Sequence, residues 1–129
     1  MAVLDAKRKF LFVHVYKTGG TSIVTLLNGN LYVPGHAPAS FLKRQIIKDR
    51  GEAFYNSLFT FAFCRNPYTW VASARNYWRA APNVNFSHID TTSLRTYLDC
   101  VKAESYCSDG DGFNFLGTQK YFIEGVKKV

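Results

Sequence analysis

The stretch from Phe10 to Leu27, FLFVHVYKTGGTSIVTLL, constrains the fold more than any other part of the chain. An apolar run enters Lys17-Thr18-Gly19-Gly20-Thr21-Ser22, and an apolar helical pattern leaves it. The order implied is strand, glycine turn, helix. Such a turn gathers backbone N–H groups at a helix N-terminus, where they favour an anion. Lys17 adds a positive charge at the strand end, and Thr21 and Ser22 add hydroxyl donors. Gly19 and Gly20 let the backbone approach a ligand closely. The expected occupant is a phosphate or a phosphate-like group. This is not a Walker A loop, whose lysine follows its glycines. The plainer alternative is an ordinary strand–helix turn with an exposed lysine.

The rest of the chain repeats the same alternation. Residues 10–16 read as a strand covered on both faces, and 21–29 as a short helix. Pro34, Gly35 and Pro38 mark 30–38 as a loop. A helix is predicted over 39–50, with Phe41, Leu42, Ile46 and Ile47 as its apolar stripe. Residues 58–64, LFTFAFC, read as a second buried strand with Cys64 in the core. Pro67 suits the first turn of a helix whose apolar face is Trp70, Val71, Ala74, Tyr77 and Trp78. A loop over 80–91, a helix around 92–102 and a loop over 104–114 follow. The final FLGTQKYFIEGVKKV fits helix or strand. Buried strands alternating with helices predict an α/β domain with a central parallel sheet flanked by helices. The 129 residues fit a single domain, 1–129.

Charge narrows the partners. Sixteen Lys and Arg against nine Asp and Glu give a net charge of +7. That excess favours an anionic partner. The basic residues are dispersed, so no segment reads as a nucleic-acid arm, and no nucleic acid is expected. The three cysteines form no C-x-x-C pair, so no metal site is expected. Whether Cys100 and Cys107 pair is open at this level. No apolar run is long enough to span a membrane. The first nine residues, MAVLDAKRK, lack the apolar segment of a secretory signal. A soluble, cytoplasmic protein is the expectation for the chain as written; a Golgi-lumen origin, or a fragment of a longer protein, is the alternative.

A second motif, Arg65-Asn66-Pro67 with Ser73 eight residues after the arginine, also follows a strand and opens a helix. An arginine at a strand end suits a bidentate phosphate contact. Its plainer reading is a surface arginine and a helical serine. His36 lies between the two motifs, in Pro34-Gly35-His36-Ala37-Pro38. By residue type alone it is a loop histidine that caps a helix or faces water. His14, inside the first strand, is more often a satisfied core residue than a catalyst and reads as structural or as a support to the site, and His88 reads as incidental.

Together the two motifs resemble the sulfotransferase superfamily, and more closely its carbohydrate, heparan sulfate O-sulfotransferase-like branch. The resemblance covers residues 10–79 well and 80–129 weakly. It implies a P-loop-like three-layer fold, compact or truncated, with 10–79 as the donor-binding core. It implies 3′-phosphoadenosine 5′-phosphosulfate (PAPS) as donor and adenosine 3′,5′-bisphosphate as product. Lys17, Thr18, Gly19, Gly20, Thr21 and Ser22 would hold the 5′-phosphosulfate, and Arg65 and Ser73 the 3′-phosphate. Lys17 and His36 would be catalytic, His36 as the base that deprotonates an acceptor hydroxyl. The acceptor would be a carbohydrate, such as an anionic oligo- or polysaccharide, and no metal would be needed. Gln119 to Phe122 resembles a family segment near acceptor and nucleotide. Two departures stand out. Trp70 occupies a position that is arginine in many relatives, and the chain stops at Val129 where relatives continue with further helix and strand. The alternatives are a non-catalytic module that binds a nucleotide or sulfated glycan, and a small phosphate-handling kinase. The inverted order of lysine and glycines counts against the kinase.

Overall fold

Ala2–Asp5 (β1) and Phe10–Val13 (β2) form an antiparallel hairpin at the start of the computed structural model, which describes residues 2–28, 31–33, 36–80, 90–105 and 119–127. The hairpin turn is closed by the Arg8 N–H donating to Asp5 Oδ1 at 2.8 Å. The remaining elements are Gly20–Leu27 (α1), Leu31–Val33 (β3), Ala39–Arg50 (α2), Glu52–Ser57 (α3), Phe59–Ala62 (β4), Pro67–Ala80 (α4), Leu94–Ser105 (α5) and Gln119–Ile123 (α6). The chain divides into two compact units, Met1–Cys64 with Gln119–Val129, and Arg65–Thr118.

The first unit holds a four-stranded sheet in the order β3-β1-β2-β4. β2 and β4 run parallel, with Val13 opposite Ala62, whereas β1 is antiparallel to both β2 and β3. The sheet is therefore mixed, which corrects the expected parallel one. The parallel pair is the part built by a crossover through α1, α2 and α3. The antiparallel part comes from segments in which no strand was expected. Residues 2–5 carry Ala2, Val3 and Leu4 fully into the core, and 31–33 lie inside the expected loop over 30–38. Helix α2 buries Ala39, Leu42 and Ile46 on one stripe and packs against α3 and α6.

β4 is covered on one face only. Thr60 and Ala62 are buried, while Phe59 and Phe63 are about half exposed. Phe61 lies between them within ring-contact distance of both. The expectation of a second strand buried on both faces is thus corrected. Cys64 lies past the end of the strand and is exposed, so it is not a core residue. The buried Thr60 hydroxyl accepts the Lys127 N–H at 3.0 Å, and Lys127 Nζ donates to the Asn56 and Leu58 carbonyls. These bonds tie the segment after α6 to the start of β4.

The second unit is built on α4 and α5. Asn66 caps α4: its Oδ1 accepts from the Tyr68 and Thr69 N–H groups at 3.1 and 3.3 Å, with Pro67 at the first helical position. Trp70 and Ala74 are the buried residues of α4, and Tyr97 and Val101 those of α5. Tyr77, expected on the buried face, is half exposed. Ser93 and Thr96 cap α5 reciprocally, each side-chain oxygen accepting the other's N–H. Arg75 donates to the Thr91 and Thr92 carbonyls at 3.1 and 3.0 Å, fastening α4 to the approach of α5.

Candidate functional site

The candidate site grows from the end of β2. His14, Val15 and Tyr16 continue past the strand fully buried. The backbone then turns through two left-handed residues, Lys17 at φ 60° and Gly19 at φ 81°, before α1 begins at Gly20. Left-handed backbone is costly for a lysine and natural for glycine. The Thr18 hydroxyl donates to the Val15 carbonyl at 2.7 Å and closes the turn. Its proton is thereby committed to the turn, so Thr18 acts on the backbone's shape.

Helix α1 starts with no side-chain cap and no acidic residue in its first turn. The first bond back to the turn runs from the Ile23 N–H to the Gly19 carbonyl, at 3.5 Å. The amides of Gly20, Thr21 and Ser22 precede it. Thr21 and Ser22 are exposed, and Lys17 and Thr18 partly so. An uncapped helix start carries partial positive charge and suits an anion.

His36 is brought to the same strand end, although 22 residues separate it from His14. Its Nδ1 lies 3.1 Å from the His14 carbonyl oxygen. A carbonyl only accepts, so Nδ1 carries the hydrogen and Nε2 the lone pair. Its ring centroid is 4.5 Å from that of His14 and 6.0 Å from that of Tyr16, edge to face in both cases. Burial lowers its pKa below the ordinary 6.5, against a smaller opposing effect of the bond to His14. The imidazole is therefore neutral at pH 7, with an unprotonated Nε2, as a general base requires.

His14 is 3% exposed, and its Nδ1 has no hydrogen-bond partner among the described residues. It is a buried histidine, as expected, but not a satisfied one. Burial, then the neighbouring His36, push its pKa down to about 3. Its ring lies against Gly20: a Cβ there would meet His14 Cγ at 2.6 Å, and Cδ2 and Nε2 closer still. Gly20 is thus required by close packing, while Gly19 is required by its backbone angle.

In the second unit Arg65 is exposed, and its Nε donates to Thr69 Oγ1 at 3.2 Å. Ser73 lies one helical turn beyond Thr69 and is half-buried. Residues four apart share a helix face, so Thr69 and Ser73 follow Arg65 in line. Thr69 was not a candidate from sequence; the i, i+4 spacing to Ser73 was its only signal. Trp70 is a core residue, which explains an aromatic at that position. Phe122 is fully buried, edge to face with Tyr16 at 5.8 Å, so α6 backs the histidine pair from behind Tyr16. Cys107 and His88 lie outside the described residues.

Comparison with protein families, with curated proteins and with solved structures found no match for this chain. Among the described residues no group of His, Cys, Asp and Glu is arranged to hold a metal ion. No helix among them is long and apolar enough to cross a membrane.

Proposed function

We propose that this chain is a sulfotransferase that moves the sulfuryl group of PAPS to a hydroxyl of an acceptor, with a carbohydrate as the favoured acceptor class. The observation that carries the proposal is His36, whose Nδ1 is anchored on the His14 carbonyl. The His36 ring packs on the His14 ring, which in turn lies against Gly20 at the uncapped start of α1.

The chemistry runs in one displacement. The acceptor oxygen attacks sulfur as the bond from sulfur to the 5′-phosphate oxygen breaks. The acceptor proton passes to His36 Nε2. The phosphate oxygen leaves with the electron pair and additional negative charge. Lys17 and the amides of Gly20, Thr21 and Ser22 stabilise that charge, together with the Thr21 and Ser22 hydroxyls. Thr18 shapes the turn from below. The resemblance assigns the 3′-phosphate to Arg65 and Ser73, and within the second unit Arg65 donates to Thr69. The +7 charge suits an anionic donor and an anionic polysaccharide alike.

Substitution separates the roles. Lys17→Ala is expected to lose nearly all transfer, and Arg65→Ala to weaken donor binding about 10- to 100-fold, the scale of a charge-assisted contact. Calorimetry with adenosine 3′,5′-bisphosphate and with ATP tests the donor class. Tight binding of the bisphosphate with no heat from ATP is expected. Binding of ATP alone would replace the sulfotransferase with a phosphate-handling enzyme. Binding of the bisphosphate without sulfate transfer to any glycan would leave a binding module.

A further inference from the structure

We infer that His14 is a positioning residue that couples the glycine turn to His36, one buried imidazole bearing on Gly20 and on the His36 ring together. The catalytic meaning of this coupling rests on the proposed function above, while the contacts themselves do not.

Three observations converge on His14. Its ring fills the space where any side chain at Gly20 would begin, at the first residue of α1. It stands 4.5 Å from the His36 ring, edge to face, and its own carbonyl holds His36 Nδ1. The His14 ring also stacks with Phe12, at 6.0 Å between centroids. Phe12 is fully buried in β2 and does not yield. A side chain at Gly20 therefore presses on the His14 ring, and that ring contacts His36.

The nitrogen chemistry makes a simple filler a poor explanation. A buried imidazole nitrogen without a partner costs stability. A phenylalanine would fill comparable space without that cost. The smaller edge of an imidazole allows the close approach to Gly20, where a six-membered ring would press harder. Filling the helix start with an anion pulls on the Gly20 amide. Through His14 the same movement bears on the plane of the base.

Ring spectra of His36 test this in the ligand-free protein, so the outcome does not depend on donor or acceptor. The chain has three histidines, which makes assignment by substitution direct. Gly20→Ala is expected to move the His36 ring resonances although residue 20 does not carry the base. His14→Ala is expected to raise the His36 titration midpoint toward 6.5 as burial is lost. Adding Gly20→Ala to His14→Ala is expected to change His36 no further, since the new methyl enters vacated space. Should Gly20→Ala alone fail to fold, the comparison of His14→Ala with the double variant decides. A second shift of His36 on adding Gly20→Ala to His14→Ala overturns the coupling, and so does a folded Gly20→Ala protein with unmoved His36 resonances. If these spectra behave as expected and no nucleotide binds, the coupling stands and the sulfotransferase proposal falls.

Discussion

His36 draws its competence from one hydrogen bond and from burial. The bond fixes its tautomer, and burial keeps it neutral below pH 6.5. The acid limb of kcat/KM is accordingly expected below the ordinary histidine pKa; a limb above 6.5 would assign the base elsewhere. His14 carries a stability consequence. Its native pKa, near 3, lies below the unfolded value of 6.5. Between those values the unfolded chain binds a proton that the native chain does not. Stability is therefore full above pH 6.5 and declines as pH falls, by up to about 1.4 kcal/mol per pH unit. Thermal unfolding from pH 7 to pH 5 should show the decline, and His14→Phe should flatten it where that variant folds. Much of this site was legible in the chain itself. Lys17 and the two glycines stand at the end of β2 as the alternation of strand, turn and helix required, while His36 became a candidate only through the family resemblance. The pairing of His14 with His36 was not, because 22 residues separate them and ring contact has no local signal.

At the scale of elements, the segments with strong punctuation were the readable ones. Helix α2 runs over the expected 39–50, bounded by Pro38 and Gly51, and α4 begins at Pro67 as expected. β1, β3 and α3 were missed for a common reason. Each is six residues or fewer, and hydrophobic periodicity needs a longer window to register. The Arg65-Asn66-Pro67 triplet now divides its labour: Asn66 caps, Pro67 starts the helix, and Arg65 donates to the Thr69 hydroxyl. Asn66→Ala is expected to destabilise the second unit by about 1 kcal/mol, measured by denaturant unfolding. No loss would mean that Pro67 alone defines the start of α4.

At the scale of the whole chain, the first unit is closed by contacts between the C-terminal segment and the middle of the sequence. The segment after α6 returns to β4 through Lys127, whose N–H is received by the buried Thr60 hydroxyl. Thr60→Val leaves that N–H without its acceptor and is expected to cost about 1 to 3 kcal/mol. Unfolding of the full chain by urea would show it, and an unchanged midpoint would deny the bond its role. The mixed sheet follows from the same kind of long-range closure, with β1 inserted between β2 and β3. In the proposed function, His36 is the base that deprotonates an acceptor hydroxyl for attack on the sulfate donor. Radiolabelled sulfate transfer from PAPS to a panel of glycans, run side by side with wild type and His36→Ala, tests it most directly. Label should reach at least one glycan with wild type and none with His36→Ala, while the variant still binds adenosine 3′,5′-bisphosphate. Full turnover by His36→Ala would contradict the account.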